Sequence, residues 1–259
     1  MIFDVFTIFP EVFDPYVHLS ILGKAVESKI IQINIFNLRD WTKDKHHTTD
    51  DTPFGGGGGM VMKPEPIFSA VEDIEGKPPR CPVILMSPQG ELLSHQKAMG
   101  LSGNNHLSII CGRYEGVDER VREHLVTDEI SIGDFVLSGG ELPALVLIEV
   151  ITRLLPGALG DPNGAQDDSF ASGLLEYPHY TRPAEFRDWI APDVLLSGNH
   201  KEIHRWRRKQ ALMHTIQKRS DLLTNAVFNK VDIELIREIS KEMDVHPSII
   251  NLIRGENEI

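Results

Sequence analysis

The stretch Ser131–Pro143, SIGDFVLSGGELP, decides how the rest of the chain is read. It begins with the period-2 alternation of a strand, breaks at Gly139-Gly140, and opens into an apolar run from Leu142 to Leu155. A strand that stops in glycines before a helix is where an α/β protein presents backbone N–H groups to a ligand. Two further loops accompany it. CGRYEGVDER (Cys111–Arg120) sets Arg113, Tyr114 and Glu115 between two glycines, and SPQG (Ser87–Gly90) follows the apolar Val83–Met86. Three such loops, each at the end of an apolar strand, point to one composite site. No GxGxxG follows the first strand, which separates this site from a dinucleotide-binding one.

Working outward, Ile2–Phe9 reads as a first strand, Leu19–Lys29 as a helix, and Ile31, Ile33 and Ile35 alternate as a second strand. Ser94 is placed to cap a helix, His106–Cys111 is a strand, and Asp118 caps the charged segment that follows. The helix after the opening stretch carries Leu145, Ile148, Ile151 and Leu155 at helical spacing and ends at Pro156-Gly157. Alternating strands and helices predict an α/β domain with a mostly parallel sheet over residues 1–160. Residues 161–174, rich in Gly, Asn, Asp and Ser, have the composition of a flexible linker. Residues 175–259 read as a small, mainly helical domain. There Asn199 and Glu202 form a capping-box pair, and Trp206, Met213 and Ile216 mark a buried edge.

Composition sets bounds. At 259 residues the chain can bury a sizeable core without disulfide or metal staples. No window approaches a membrane span, and MIFDVFTIFP lacks the basic start of a signal peptide. The two cysteines, Cys81 and Cys111, form no framework, and the expected location is the cytoplasm. From Leu174 onward acidic and basic residues balance, thirteen of each, so the net charge of −12 lies in the preceding residues. Within the balanced part, His200–Arg219 holds seven basic residues against Glu202 alone. That run is either a solvated helix face or a phosphate-binding patch.

The segment Arg39–Lys63 has little periodicity and contains HHTTDD (His46–Asp51) and PFGGGGGM (Pro53–Met60). The five glycines do not make a nucleotide loop, which ends in Gly-Lys-Ser/Thr; here Met60 follows Gly59. His46 and His47 are adjacent, point apart on most backbones and have no second shell, so no metal is expected there.

In order, PFGGGGGM, SPQG, CGRYEGVDER, SIGDFVLSGGELPA, DSF and GLLEYPHYTRP resemble the bacterial tRNA (guanine-N1)-methyltransferase family, TrmD. The likeness spans nearly the whole chain, as far as HRWRRKQAL. It implies a trefoil-knotted SPOUT methyltransferase domain, an exception to the near absence of knots. It also implies S-adenosyl-L-methionine as cofactor, Mg²⁺, and a homodimer with the active site at the subunit interface. The implied substrate is tRNA, at the guanosine immediately 3′ of the anticodon. The alternatives are a related knotted enzyme acting on another RNA position and a non-enzymatic RNA-binding module. Two positions depart from the family: Phe135 stands where tyrosine is common, and Gly58 where many relatives have proline.

Guanine N1 carries a proton at neutral pH, so methylation there needs a general base and a cation or donors at O6. The resemblance implies Asp168 of DDSF as the base, in preference to Asp167, and Arg153 of ITRLL as the group at O6. Read without it, Asp168 is a solubilising linker residue and Arg153 one half of a structural ion pair. Glu115 is implied to contact guanine or Mg²⁺, against a plain role in capping the next helix. The implied cofactor wall is Pro88, Gln89, Gly90, Gly112, backbone from Ile132 through Gly133, Asp134, Phe135 and Val136 to Leu137, then Gly140 and Pro143. Their plain reading is turn chemistry. Cys111 is expected to be a buried small residue, not a nucleophile. Lys201, Arg205, Arg207, Arg208 and Lys209 are the expected phosphate contacts.

Overall fold

A computed structural model describes residues 1–160, 164, 168–224, 226–243, 245, 246 and 249. Asp167 and the other expected linker residues before Asp168, Gly164 apart, lie outside the described residues. The chain divides into two compact units, Met1–Pro162 and Asn163–Ile259.

The first unit is built on a five-stranded sheet. Its strands are β1 (Ile2–Thr7), β2 (Gln32–Asn37), β5 (Val83–Leu92), β6 (His106–Cys111) and β7 (Asp128–Ser131), in the order β2-β1-β6-β5-β7. Every pairing within it is parallel. The inner strands β1, β5 and β6 send apolar residues to both faces, as a sheet covered on both sides requires. Phe3, Val5, Ile84, Leu107 and Ile109 enter one core layer. Phe6, Val83, Leu85 and Ile110 enter the other. The first layer is closed by α2 (Ser20–Glu27), α4 (His95–Ser102) and α6 (Glu141–Leu154) through Leu22, Ala98, Leu147 and Ile148. The second is closed by α3 (Pro64–Glu75) and α5 (Glu119–His124) through Ile67, Val71 and Val121. A short α1 (Asp14–Val17) precedes α2, and the two-residue strands β3 (Asp50–Asp51) and β4 (Val61–Met62) pair antiparallel.

Two readings of the decisive loops change. SPQG does not end a strand: β5 runs through it to Leu92, with a break of register against β7 between Met86 and Glu91. A bulge interrupts the apolar run without ending the strand. Likewise SIGDFVL is not a strand beyond Ser131; from Ile132 to Ser138 the chain is bends and loop. Ser94 and Asp118 do cap α4 and α5, accepting from the N–H groups of Lys97 and Arg120.

In the second unit a hairpin of β8 (Glu185–Phe186) and β9 (Trp189–Ile190) precedes α7 (Asp193–Leu196), α8 (His200–Lys218) and α9 (Lys230–Glu242). Leu212 and Ile216 of α8 pack on Leu235, Ile236 and Ile239 of α9, and Leu174 joins that core. Trp206 stands outside that core and meets the ring of Tyr180 at 6.3 Å. From Asp168 on, the expected linker is hydrogen-bonded structure: Phe170 N–H donates to Leu174 O at 2.7 Å and Leu175 N–H to Thr215 Oγ1 at 2.9 Å. Asn199 caps α8 through the Glu202 N–H. A reciprocal capping box occurs one helix later, between Asn229 and Asp232.

Candidate active site

The bulge of β5 and the carboxyl ends of β6 and β7 surround a cavity of about 200 Å³. Parallel α/β sheets hold ligands at this end, where loops leave the strands in different directions. Pro88 and Gln89 form one wall, and Gly112, Glu115 and Arg122 another. The loop after β7 supplies Ile132, Gly133, Phe135, Val136 and Leu137; Gly140 and Pro143 close the cavity at the start of α6. Gly90 and Asp134 of the expected set are not on its lining. Gly90 instead lies where β5 meets β7, and a Cβ there would fall 2.4 Å from Glu129 backbone.

The loops are locked by backbone. Gly140 N–H donates to Gly112 O at 2.9 Å, and Arg113 and Gly139 form an antiparallel bridge. A Cβ on Gly140 would lie 2.8 Å from the Cys111 Cα, so only glycine permits this approach. Phe135 lines the cavity with its ring over Gly133, where a Cβ would lie 2.4 Å from the ring. The aromatic ring at this position is therefore part of the cavity wall itself.

A buried ion pair holds the frame. Glu141, the first residue of α6 and 1% exposed, accepts from Arg113 Nε at 2.9 Å and from Thr7 Oγ1 at 2.8 Å. Arg113 also sits 4.4 Å from the centroid of the Phe9 ring. Arg113 thus joins the ends of β1 and β6 to α6, and a buried carboxylate needs such partners. Burial pushes the Cys111 thiol well above its ordinary range, with Glu141 adding to the effect and Arg113 opposing it. This is an inert core thiol.

Glu115 is the only acidic side chain among the described lining residues. It does not cap α5, which Asp118 does. Its N–H donates to Met60 O at 3.0 Å, and a Cβ on Gly59 would lie 2.2 Å from its Oε1. The glycine-rich stretch, with positive φ at Gly55, Gly56, Gly57 and Gly59, is thereby tied to the cavity rim. Arg122 was not singled out by the sequence. It donates to Gln89 Oε1 and, at 3.4 Å, to Ser87 Oγ, fixing the β5 bulge. A charge inside a charged helix carries no signal of that role.

Arg153 does not line the cavity. It occupies the last turn of α6, whose first turn does. At roughly 1.5 Å per residue, the helix from Gly140 to Arg153 spans about 20 Å. Arg153 shares a helix stripe, at spacings of four, three and four, with the exposed Leu142 and Val146 and with Glu149.

Asp168 lies in the second unit, where its backbone carbonyl accepts from Ala171 N–H at 3.2 Å. Three of the five expected phosphate contacts on α8 pair with α9. Arg208 grips Asp232 through Nε at 2.7 Å and Nη2 at 3.0 Å. Arg205 pairs with Glu238, and Lys209 with Glu242 at 2.6 Å. Among the described residues, Lys201 and Arg207 have no carboxylate partner; Arg207 lies 4.8 Å from the centroid of the Tyr177 ring.

A parallel α/β sheet with a glycine-framed cavity at its carboxyl edge is the arrangement in which α/β proteins hold small ligands. Residues 1–225 match the family model of tRNA (Guanine-1)-methyltransferase TrmD, and the chain belongs to that family. It is 53% identical to a tRNA (guanine-N(1)-)-methyltransferase of Dehalococcoides mccartyi (strain CBDB1), over 92% of this chain and 97% of the relative. The corresponding proteins of Brevibacillus brevis and Moorella thermoacetica are 55% and 56% identical, over 92% of this chain and 98% and 96% of theirs.

Proposed function

We propose that this chain transfers a methyl group from S-adenosyl-L-methionine to N1 of the guanosine immediately 3′ of the anticodon in tRNA. The observation that carries this is family membership over residues 1–225 together with a cavity framed by the motifs that the family resemblance rests on. The cavity fits the cofactor: glycines at 112 and 140 bring two loops into backbone contact, and apolar Ile132, Val136 and Leu137 line it. When bound, the sulfonium supplies a methyl group already activated for transfer. What remains for the chain is to make guanine N1 a nucleophile. In this reading Asp168 takes the N1 proton, and Arg153 stabilises the negative charge that develops on O6. Glu115 holds the base at the cavity rim. A lone carboxylate fits Mg²⁺ only as one ligand among waters and substrate oxygens.

The length of α6 supports a homodimer. Arg153 is too far along the helix to serve the cavity of its own chain, and the exposed stripe that bears it is apolar at Leu142 and Val146. Tyr16 and Leu19, both exposed, extend the apolar surface. A second copy packed on this stripe would bring its Arg153 to the first chain's site. The close crossing at Gly112 and Gly140 supports the knotted topology of the SPOUT class. Lys201 and Arg207 are the first phosphate contacts in this reading, with Arg205, Arg208 and Lys209 contributing beyond their ion pairs. A tRNA substrate supports a cytoplasmic location. Separately, no described helix is long and apolar enough to cross a membrane.

Mapping the methylated base after incubation with tRNA and labelled donor tests the proposal. Methyl on another base would favour the related knotted enzymes, and none at all the binding module. Asp168→Asn is expected to bind tRNA and cofactor and to lose methyl transfer at least a hundredfold in single turnover. A near-normal rate would remove Asp168 as the base.

A further inference from the structure

At the other end of the sheet from the cavity, the second core layer contains a polar cluster that the proposed reaction does not use. Asp4 of β1, Asn34 of β2 and Ser108 of β6 lie side by side in register. His106 opens β6, Glu75 ends α3, and Cys81 lies just before β5. Glu75 is 0% and Asp4 3% exposed. The two carboxylates share one imidazole nitrogen: His106 Nε2 is 2.9 Å from Asp4 Oδ2 and 3.2 Å from Glu75 Oε1. Ser108 Oγ donates to Glu75 Oε1 at 2.9 Å and lies 3.4 Å from Cys81 Sγ. Glu75 Oε2 is buried and finds no hydrogen-bond donor. One donor atom from each of Glu75, Cys81 and His106 falls within 4.8 Å of the others.

Apart from the neutral donors Ser108 on Glu75 and Asn34 on Asp4, one imidazole nitrogen faces both buried carboxylates, and one Glu75 oxygen is unserved, which leaves negative charge under-compensated. A cation among Glu75, Cys81 and His106 would meet a donor atom from each of the three. Sulfur, imidazole nitrogen and carboxylate oxygen together are the donor set of a borderline-soft divalent ion; magnesium and calcium take oxygen alone. We propose that Glu75, Cys81 and His106 form a structural site for a divalent d-block cation, zinc by its donor chemistry, with water completing the coordination. On binding, the Cys81 thiol releases its proton to solvent. The imidazole keeps one proton on Nδ1 and turns the Nε2 lone pair to the metal. Half-buried Cys81 and His106 give the ion a way in from solvent. The ion pins the end of α3 and the turn before β5 to β6. That turn is already held by Arg80 Nε, which donates to Glu75 O at 2.9 Å.

The test is a cobalt(II) titration of the chelator-treated full-length protein. The expected result is one Co²⁺ per chain with a thiolate-to-cobalt charge-transfer band, displaced by equimolar Zn²⁺, and a rise in Tm with zinc. Cys81→Ser should abolish the charge-transfer band while leaving circular dichroism and methyl transfer unchanged. Glu75→Gln should weaken Co²⁺ at least tenfold. A wild-type protein without the band, or a band of undiminished intensity in Cys81→Ser, overturns the proposal. The Cys81 arm stands by itself if Glu75→Gln does not fold.

Discussion

Replacing Arg208 by alanine separates a structural role for the basic run from an RNA-binding one. Asp232 is 0% exposed, and Arg208 meets both of its carboxylate oxygens. Truncating one partner of a buried pair costs about 3–5 kcal/mol, because the other charge stays buried. Here the lower end applies: Asp232 Oδ2 still accepts from the Asn229 N–H at 3.0 Å, and the Arg208 side chain is 30% exposed. The expected loss is about 3 kcal/mol, a shift of roughly 1–3 M in urea midpoint for an ordinary m-value. Lys209→Ala, whose partner Glu242 is 54% exposed, should cost only about 0.2–1 kcal/mol. The measurement is urea unfolding followed by Trp206 fluorescence, with Trp41 and Trp189 changed to Phe.

The pH dependence follows from the same pair. Burial alone would raise the Asp232 carboxyl, but the Arg208 hydrogen bonds, the Asn229 N–H and the Arg208 charge hold it below its ordinary value. A depressed folded pKa contributes stability above the unfolded value of about 3.9, lost as pH falls through the folded one. In Arg208→Ala the burial effect wins and the sign reverses: the penalty is full at neutral pH and fades as Asp232 protonates. The gap between wild type and variant should therefore narrow from pH 7 to pH 4.5. A loss below 1 kcal/mol at pH 7, or a gap that does not change with pH, would refute this account.

Gly140→Ala puts a methyl group against backbone at Cys111 and Gly112, and should lower cofactor affinity at least tenfold by calorimetry. Gly100→Ala, in open space on α4, should instead stabilise by up to about 1 kcal/mol in thermal melts. Lys201→Glu combined with Arg207→Glu should weaken tRNA binding and reduce the slope of log K against log salt by roughly two. An unchanged slope would make these residues a solvated face.

The sheet was legible because β1 and β6 are apolar on both faces, and no other arrangement buries such strands between helices. The loops were legible as a group but not in detail. A bulge at Ser87–Gly90 looks like a strand end, since sequence shows the broken alternation and not the resumed pairing at Glu91. Phe135, Val136 and Leu137 mimic a strand although they are 53%, 82% and 41% exposed on the cavity wall. The Asn229–Asp232 box escaped because aspartate, not glutamate or glutamine, stands at its third position. The ion pairs of the basic run escaped for a different reason. Its partners, Asp232, Glu238 and Glu242, are a helix away, and charge counts along a sequence do not register tertiary pairing.

The span of α6 has a genetic consequence. In the proposed dimer, Gly140 and Arg153 of one chain serve different sites, because a rigid helix of about 20 Å holds them apart. A Gly140 variant and an Arg153 variant, each inactive by itself, would then complement when mixed. One site of the mixed dimer collects both defects, and the other collects none. Random exchange at equal amounts should restore about a quarter of wild-type activity.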